Sequence, residues 1–308
     1  MRAFKLEKEL PRGTNRGRCG VNAAYASAHP PTARRAYPGW RVFGLMLIVW
    51  LTIPRAIACD TPVADQQHYS RQSIVGAIRE SGGIVRSFKE DGKVRYRVII
   101  TPFASVPNPN EAWKGSAADL AALSDLRPIE SLHLHCALTD PNELDFLKEF
   151  DSLKSFSLVS PTWQADAAAK HLTGHVALSD VTIFAEMSDE GASSLAAISE
   201  LRRLTLVGSS ITDKGAMALA KLRKLRSLRL INAGLTDEGA RHLCKLPDLK
   251  SVSFFGCPLT DRGVDSLAKL SKAERLDLRG TQLTSRGIAT LSAKLPTCDI
   301  VFAYPSTE

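Results

Sequence analysis

The sequence predicts an α/β solenoid, a stack of coils that each contribute one short strand and one helix. Three observations carry that prediction. Between Leu201 and Leu295 one pattern is written four times at a spacing of 24 residues, opened by Leu201, Leu225, Leu249 and Ala273. Each opening residue is followed three positions on by Leu204, Leu228, Val252 or Leu276, and five on by Leu206, Leu230, Phe254 or Leu278, the alternation of a half-buried strand. Further in come Ile211, Leu235, Leu259 and Leu283, a Thr-Asp or Thr-Ser pair, then Gly215, Gly239, Gly263 and Gly287. Each unit closes on leucines at helical spacing: Leu219/Leu222, Leu243/Leu246, Leu267/Leu270 and Leu291/Leu295. Repetition at such a period means stacked supersecondary units, none of which buries its apolar face alone.

Written as LxxLxLxxxxLTDxGxxxLxxL, the pattern resembles the leucine-rich repeat family, and its length with T-D-x-G is similar to the ribonuclease-inhibitor-like and F-box-associated branch. The resemblance implies a horseshoe with a parallel concave sheet and convex helices. It also implies a protein-binding surface on the concave side. The F-box branch recruits substrates to ubiquitin ligases, but no F-box-like helical segment precedes these repeats, so that role is not carried over.

In chain order, residues 1–58 hold ten basic residues against Glu7 and Glu9, a balance of 10 − 2 = +8 that equals the whole formal net charge. The rest carries 30 basic and 30 acidic residues, which removes the nucleic-acid footprint the overall charge suggests. Val42–Ile53 is an apolar run too short to span a bilayer comfortably, and Ala56-Ile57-Ala58 supplies an A-x-A cleavage pattern. Residues 1–58 are read as an export signal. The alternatives are an uncleaved anchor at 42–53 or lipid attachment at Cys59. The expected location is accordingly periplasmic, cell-envelope or secreted.

Residues 59–126 are expected to form an α/β capping region. A helix spans His68–Glu80, with strands at Ile84–Phe88 and Val94–Thr101 joined through Asp91-Gly92, a hairpin signal. Pro102–Trp113 reads as a loop, and Ala117–Leu126 as the first convex helix. Residues 127–308 then form the repeat domain, with irregular coils opened by Ile129, Leu153 and Leu178 before the four regular ones. Pro161–Gln164 breaks the second of these. Seven coils and a terminal strand at Cys298–Phe302 result.

The polar residues of the repeat have structural readings. Thr139-Asp140, Ser188-Asp189, Thr212-Asp213, Thr236-Asp237 and Thr260-Asp261 each precede a helix, where their oxygens are expected to accept its orphan N–H groups. The glycines two residues later are expected to allow close packing at the helix entry. Lys221, Lys245, Lys269 and Lys294 recur near helix ends, where a cation complements terminal carbonyls. Cys136 and Cys257 fall in a column of small residues with Ala185, Ser209, Ala233 and Thr281, which must be tight. Cys136, Cys244 and Cys257 are read as free and buried.

No chemical constellation stands out. The chain has no phosphate loop, GxSxG elbow, HExxH or CxxC pattern, and no cofactor is expected. His133 and His135 should share the inner face, but their neighbours Ser155, Ser157 and Val159 offer no good third metal ligand. No serine or cysteine has an arguable base partner.

The residues that alternate with the buried leucines form three inner columns. The first is Ser131, Ser155, Asp180, Arg203, Ser227, Ser251, Arg275, and the second His133, Ser157, Thr182, Thr205, Arg229, Ser253, Asp277. The third is His135, Val159, Phe184, Val207, Ile231, Phe255, Arg279. Phe184, Val207, Ile231 and Phe255, bordered by Arg203, Arg229, Arg275, Asp277 and Arg279, have the apolar centre and polar rim of a protein interface. The expected function is a non-catalytic, exported module that binds a protein or peptide on this face. Membrane contact is expected only through residues 42–53 if they are uncleaved. Two other readings stand beside it: an enzyme or enzyme subunit with chemistry in residues 59–126, and a structural envelope protein anchored by residues 42–53.

Overall fold

The computed structural model describes residues 70–100, 117–135 and 141–303. The leader with Cys59, the Pro102–Trp113 stretch, Cys136 and Thr139-Asp140 lie outside the described residues.

Ser70 opens the first helix, α1 (Arg71–Glu80), its hydroxyl accepting the N–H of Ser73 at 3.2 Å while Ile74 and Ile78 face the core. Strands β1 (Ile84–Glu90) and β2 (Lys93–Ile100) follow as an antiparallel hairpin. Its two-residue turn holds Asp91 at φ 50° and Gly92 at φ 73°, the geometry Asp-Gly supplies most easily. The hairpin is no separate layer: β2 pairs in parallel with β3 (Ile129–His135), so the cap begins the solenoid's own sheet.

From β3 onward every strand pairs in parallel with the next: β4 (Ser155–Gln164), β5 (Asp180–Glu186), β6 (Arg203–Val207), β7 (Ser227–Ile231), β8 (Ser251–Ser253), β9 (Arg275–Asp277) and β10 (Asp299–Val301). One residue of every strand faces the core and the next faces outward. Leu204, Leu206, Leu228 and Leu230 are wholly buried, while Arg203 and Arg229 are exposed. Helices return on the other side: α2 (Ala117–Ala121), α3 (Asp166–His171), α4 (Asp189–Leu195), α5 (Asp213–Leu219), α6 (Asp237–Leu243), α7 (Val264–Leu267) and α8 (Ser285–Lys294). The leucines closing each coil, such as Leu222, Leu243 and Leu246, are buried in the core between helix and strand. Each fully buried leucine contributes about 1.5–3 kcal/mol relative to exposure.

One expectation about elements changes. The helix over Ala117–Leu126 is one α turn followed by a 3-10 turn at Ala122–Asp125. The break in the pattern at Pro161–Gln164 falls inside β4, which runs through it with a register shift before Gln164 pairs with Glu186.

The Thr-Asp column also needs correction. In each described pair, Ser188, Thr212, Thr236 and Thr260, the hydroxyl caps its own helix, as Thr212 does for the N–H of Lys214 at 3.3 Å. The carboxylate instead reaches the following coil. Asp189 Oδ1 accepts the N–H groups of Thr212 (2.8 Å) and Gly215 (2.9 Å), and Oδ2 accepts the Thr212 hydroxyl at 2.7 Å. Asp213 holds Thr236 and Gly239 in the same way, and Asp237 and Asp261 hold Thr260 and Thr284 through N–H and hydroxyl. Asp166 opens the series in the coil whose pattern looked broken, holding Ser188 at 2.9 and 2.5 Å. The glycine is required by this staple, because a Cβ at Gly239 would lie 2.3 Å from Asp213 Oδ1. The last pair is Thr284-Ser285 at the start of α8, and no helix follows α8 among the described residues to be stapled.

The N-terminal coils are joined differently. Glu130, 5% exposed, takes Arg95 at 2.6 Å and Lys154 at 2.7 Å, binding the hairpin, β3 and the coil entering β4. Phe146, in the 3-10 segment Pro141–Glu149, packs edge to face with Phe150 just beyond its end. The buried His175 places one ring nitrogen 2.9 Å from Leu147 O and the other 3.0 Å from Leu172 O, spanning two coils.

Candidate functional site

The sheet's outward face carries the three columns in register. Asp180 pairs with Arg203, Thr182 with Thr205, Phe184 with Val207, and these continue to Ser227, Arg229 and Ile231. The apolar row is graded in exposure. Phe184 is 43% exposed, whereas Val207, Ile231 and Phe255 are half-buried against their neighbours. Phe255 lies beyond the end of β8, yet its carbonyl still accepts the N–H of Asn232 at 2.8 Å, which keeps it beside Ile231.

A second column fixes where that row ends. Gly208, Asn232, Gly256 and Gly280 all have φ between 55° and 70° and turn the chain away from the sheet. At Gly256 this is compounded by crowding, since a Cβ would meet Asn232 Oδ1 at 2.1 Å.

The bordering arginines are mostly engaged. Arg203 is bonded to Asp180, and Arg275 lies 3.3 Å from Asp299. Arg279 grips Asp277 through Nε (2.9 Å) and Nη2 (2.7 Å), and its guanidinium lies 5.4 Å from the centre of the Phe255 ring. Burial pushes the Asp277 carboxyl up, but Arg279, with help from Arg229, outweighs that and holds it below its ordinary value. Arg229 itself stays exposed on β7.

Sequence reasoning missed the start of this face. Register continues the columns into the cap, with Arg97 beside Ser131, Ile99 beside His133, Arg86 beside Arg97 and Ile84 beside Ile99. Ile84 is 45% exposed, and the Arg97 guanidinium stacks 4.6 Å from the centre of the Phe88 ring. Alternation with Val85 and Val98 gave the parity of these residues. Which strand β2 would join could not be read from it.

The histidines sit where the sequence put them, half-buried on the inner face. Desolvation lowers both imidazoles' pKa, and His135 lowers that of His133 further. Among the described residues no cluster of three or more His, Cys, Asp or Glu could hold a metal ion. One expectation is corrected: Ser131 does have a base neighbour, its Oγ 2.9 Å from His133 Nε2. Side chains two apart on one strand share a face, so the contact follows from parity alone. The buried thiols are inert, Cys244 pushed up to about 12 and Cys257 to about 11 by desolvation.

The strand order, the strand-and-helix coil and the repeat pattern define an α/β leucine-rich repeat solenoid. Residues 200–220 and 245–268 match the family model for the leucine-rich repeat. No curated protein matches the chain. Similar solved structures include a leucine-rich repeat protein of Leptospira interrogans, 18% identical with a TM-score of 0.42, covering 59% of this chain and 45% of that one. Another is the leucine-rich repeat ectodomain of the Arabidopsis receptor kinase HAESA, in complex with an N-terminally extended IDA peptide hormone. It is 22% identical with a TM-score of 0.43, covering 60% of this chain and 32% of that one. This chain therefore spans less than half the length of either.

Proposed function

We propose that the protein is an exported, non-catalytic binding module that holds a protein or peptide against the outward face of its sheet. The observation that carries the reading is the row Phe184, Val207, Ile231 and Phe255, held side by side on adjacent strands with a large aromatic exposed at its head. Around it stand Arg203, Arg229, Arg275 and Arg279, so an apolar strip is rimmed by charge. Isolated exposed apolar residues need no explanation, but an aligned row on a face that the helices leave uncovered does. Export rests on the basic leader, the apolar run at 42–53 and Ala56-Ile57-Ala58. The T-D-x-G pattern resembles that of the ribonuclease-inhibitor-like branch, which supports reading the repeats as that type. Among the described residues no helix is long and apolar enough to cross a membrane.

The test is chemical crosslinking and co-purification from the native source, with the parent chain beside Phe184→Glu and Ile231→Glu, after thermal melts show both variants folded. The reading expects a partner captured by the parent and lost from both variants. Retention of that partner by both would move the binding surface elsewhere.

A further inference from the structure

Across β7, β8 and β9 the second column reads Arg229, Ser253, Asp277, direct neighbours in the sheet at about 4.8 Å per strand. Asp277 is 6% exposed and both its oxygens are taken by Arg279, so it is an internal ion pair with no free charge to offer a ligand. Ser253 is 5% exposed, and its hydroxyl oxygen is closed off from solvent beneath the surface, so it offers a ligand nothing. Beside it Arg229 is exposed and unmatched by a carboxylate of its own, since Asp277 is already clamped. Locally, two guanidinium groups face one carboxylate, leaving a single net positive charge exposed at Arg229.

A group that accepts hydrogen bonds and carries one negative charge completes this site, and a carboxylate matches the planar fork of Arg229. Two residues further along the chain lie Ile231 at the end of β7 and Phe255 just beyond β8, so the group next to that carboxylate meets an apolar ledge. The ledge runs from Phe184 on β5 to Phe255 beyond β8, and Arg229 stands beside its third member. A ligand covering the ledge therefore continues on both sides of the acid. Resting on the concave-face reading above, we propose that the partner presents an extended segment with an internal Asp or Glu beside an apolar residue. Arg229 holds the carboxylate, and Ile231 and Phe255 take the apolar neighbour.

The experiment pans a phage-displayed library of random linear peptides on the full chain, then measures binding of the labelled consensus peptide. Enriched peptides are expected to share an acid next to an apolar residue. Arg229→Gln should weaken the consensus peptide about 10- to 100-fold. Changing the peptide's acid to its amide should cost a similar factor, and both changes together little more than either alone. Ser253→Ala, which removes a hydroxyl closed off from solvent, should leave binding within about twofold of the parent. Peptides that are lost on Phe184→Glu but lack an acid and bind Arg229→Gln as well as the parent overturn this proposal and leave the concave-face reading standing. Peptides indifferent to Phe184→Glu, or no enrichment, overturn both.

Discussion

The two ends of the solenoid are held by different chemistry. From α3 to α8 each joint repeats one device: an aspartate from one coil takes the N–H and hydroxyl of a Ser or Thr on the next, with a glycine beside it to leave room. From β1 to β4 the joints are individual, built from the buried Glu130, a pair of phenylalanines and His175 between two carbonyls. The regular joints give identical strand spacing, which is what lines up Phe184, Val207 and Ile231. The irregular joints instead let the sheet accept an antiparallel hairpin and a strand with a register shift.

The sharpest way to break this contrast is a methyl group. Gly239→Ala puts a Cβ 2.3 Å from the Asp213 carboxylate, whereas Gly76→Ala in α1 meets nothing within 4 Å. The first should destabilise by about 3 kcal/mol through steric displacement and orphaned N–H groups, and the second should stabilise by up to about 1 kcal/mol. Urea denaturation of the two variants measures both.

Asp213→Ala should cost about 2–3 kcal/mol, because the Thr236 hydroxyl and two backbone N–H groups lose their acceptor. In hydrogen exchange the loss should centre on the helix starts at Thr236–Gly239 and leave β1–β3 protected.

At the other end, Glu130→Gln should cost about 2 kcal/mol by leaving Arg95 and Lys154 without their shared carboxylate. Burial raises the Glu130 pKa, but the Lys154 hydrogen bond and charge and the Arg95 charge outweigh it and hold it below its ordinary value. A carboxyl with a depressed folded pKa adds stability above its unfolded pKa, about 4.3, and loses it as pH falls through the lower folded value. Asp261, lowered chiefly by the Thr284 hydroxyl, has the same sign. Stability should therefore drop below about pH 4, and Glu130→Gln should flatten the part of that drop carried by the N-terminal coils.

The mildest change separates backbone from side chain. Asn232 already sits at φ 55°, so Asn232→Gly should alter stability by no more than about 0.5 kcal/mol. It should also remove the side-chain atom that crowds Gly256.

The coil architecture was legible because leucine spacing reports burial directly. Val181, Leu204, Leu228 and Val252 are buried where alternation put them, and the inner columns follow by parity. What lay beyond reading was reach. The side chain of Asp189 could cap its own helix or bond forward to Thr212, and only coil separation decides between them. The same holds for Asp166, which has no Thr before it to mark it, and for β2, whose partner strand is set by packing. The turn column 208, 232, 256, 280 was visible as a repeat of Gly and Asn at fixed spacing, but it carries no apolar signal.

The most direct test of the concave-face account is site-specific photocrosslinking in an extract of the native source. Phe184 and Met217, the latter 54% exposed on α5, are each replaced in turn by p-benzoylphenylalanine. The account predicts a discrete adduct from position 184 and none from position 217. An adduct from 217 alone would contradict it and move recognition to the helices.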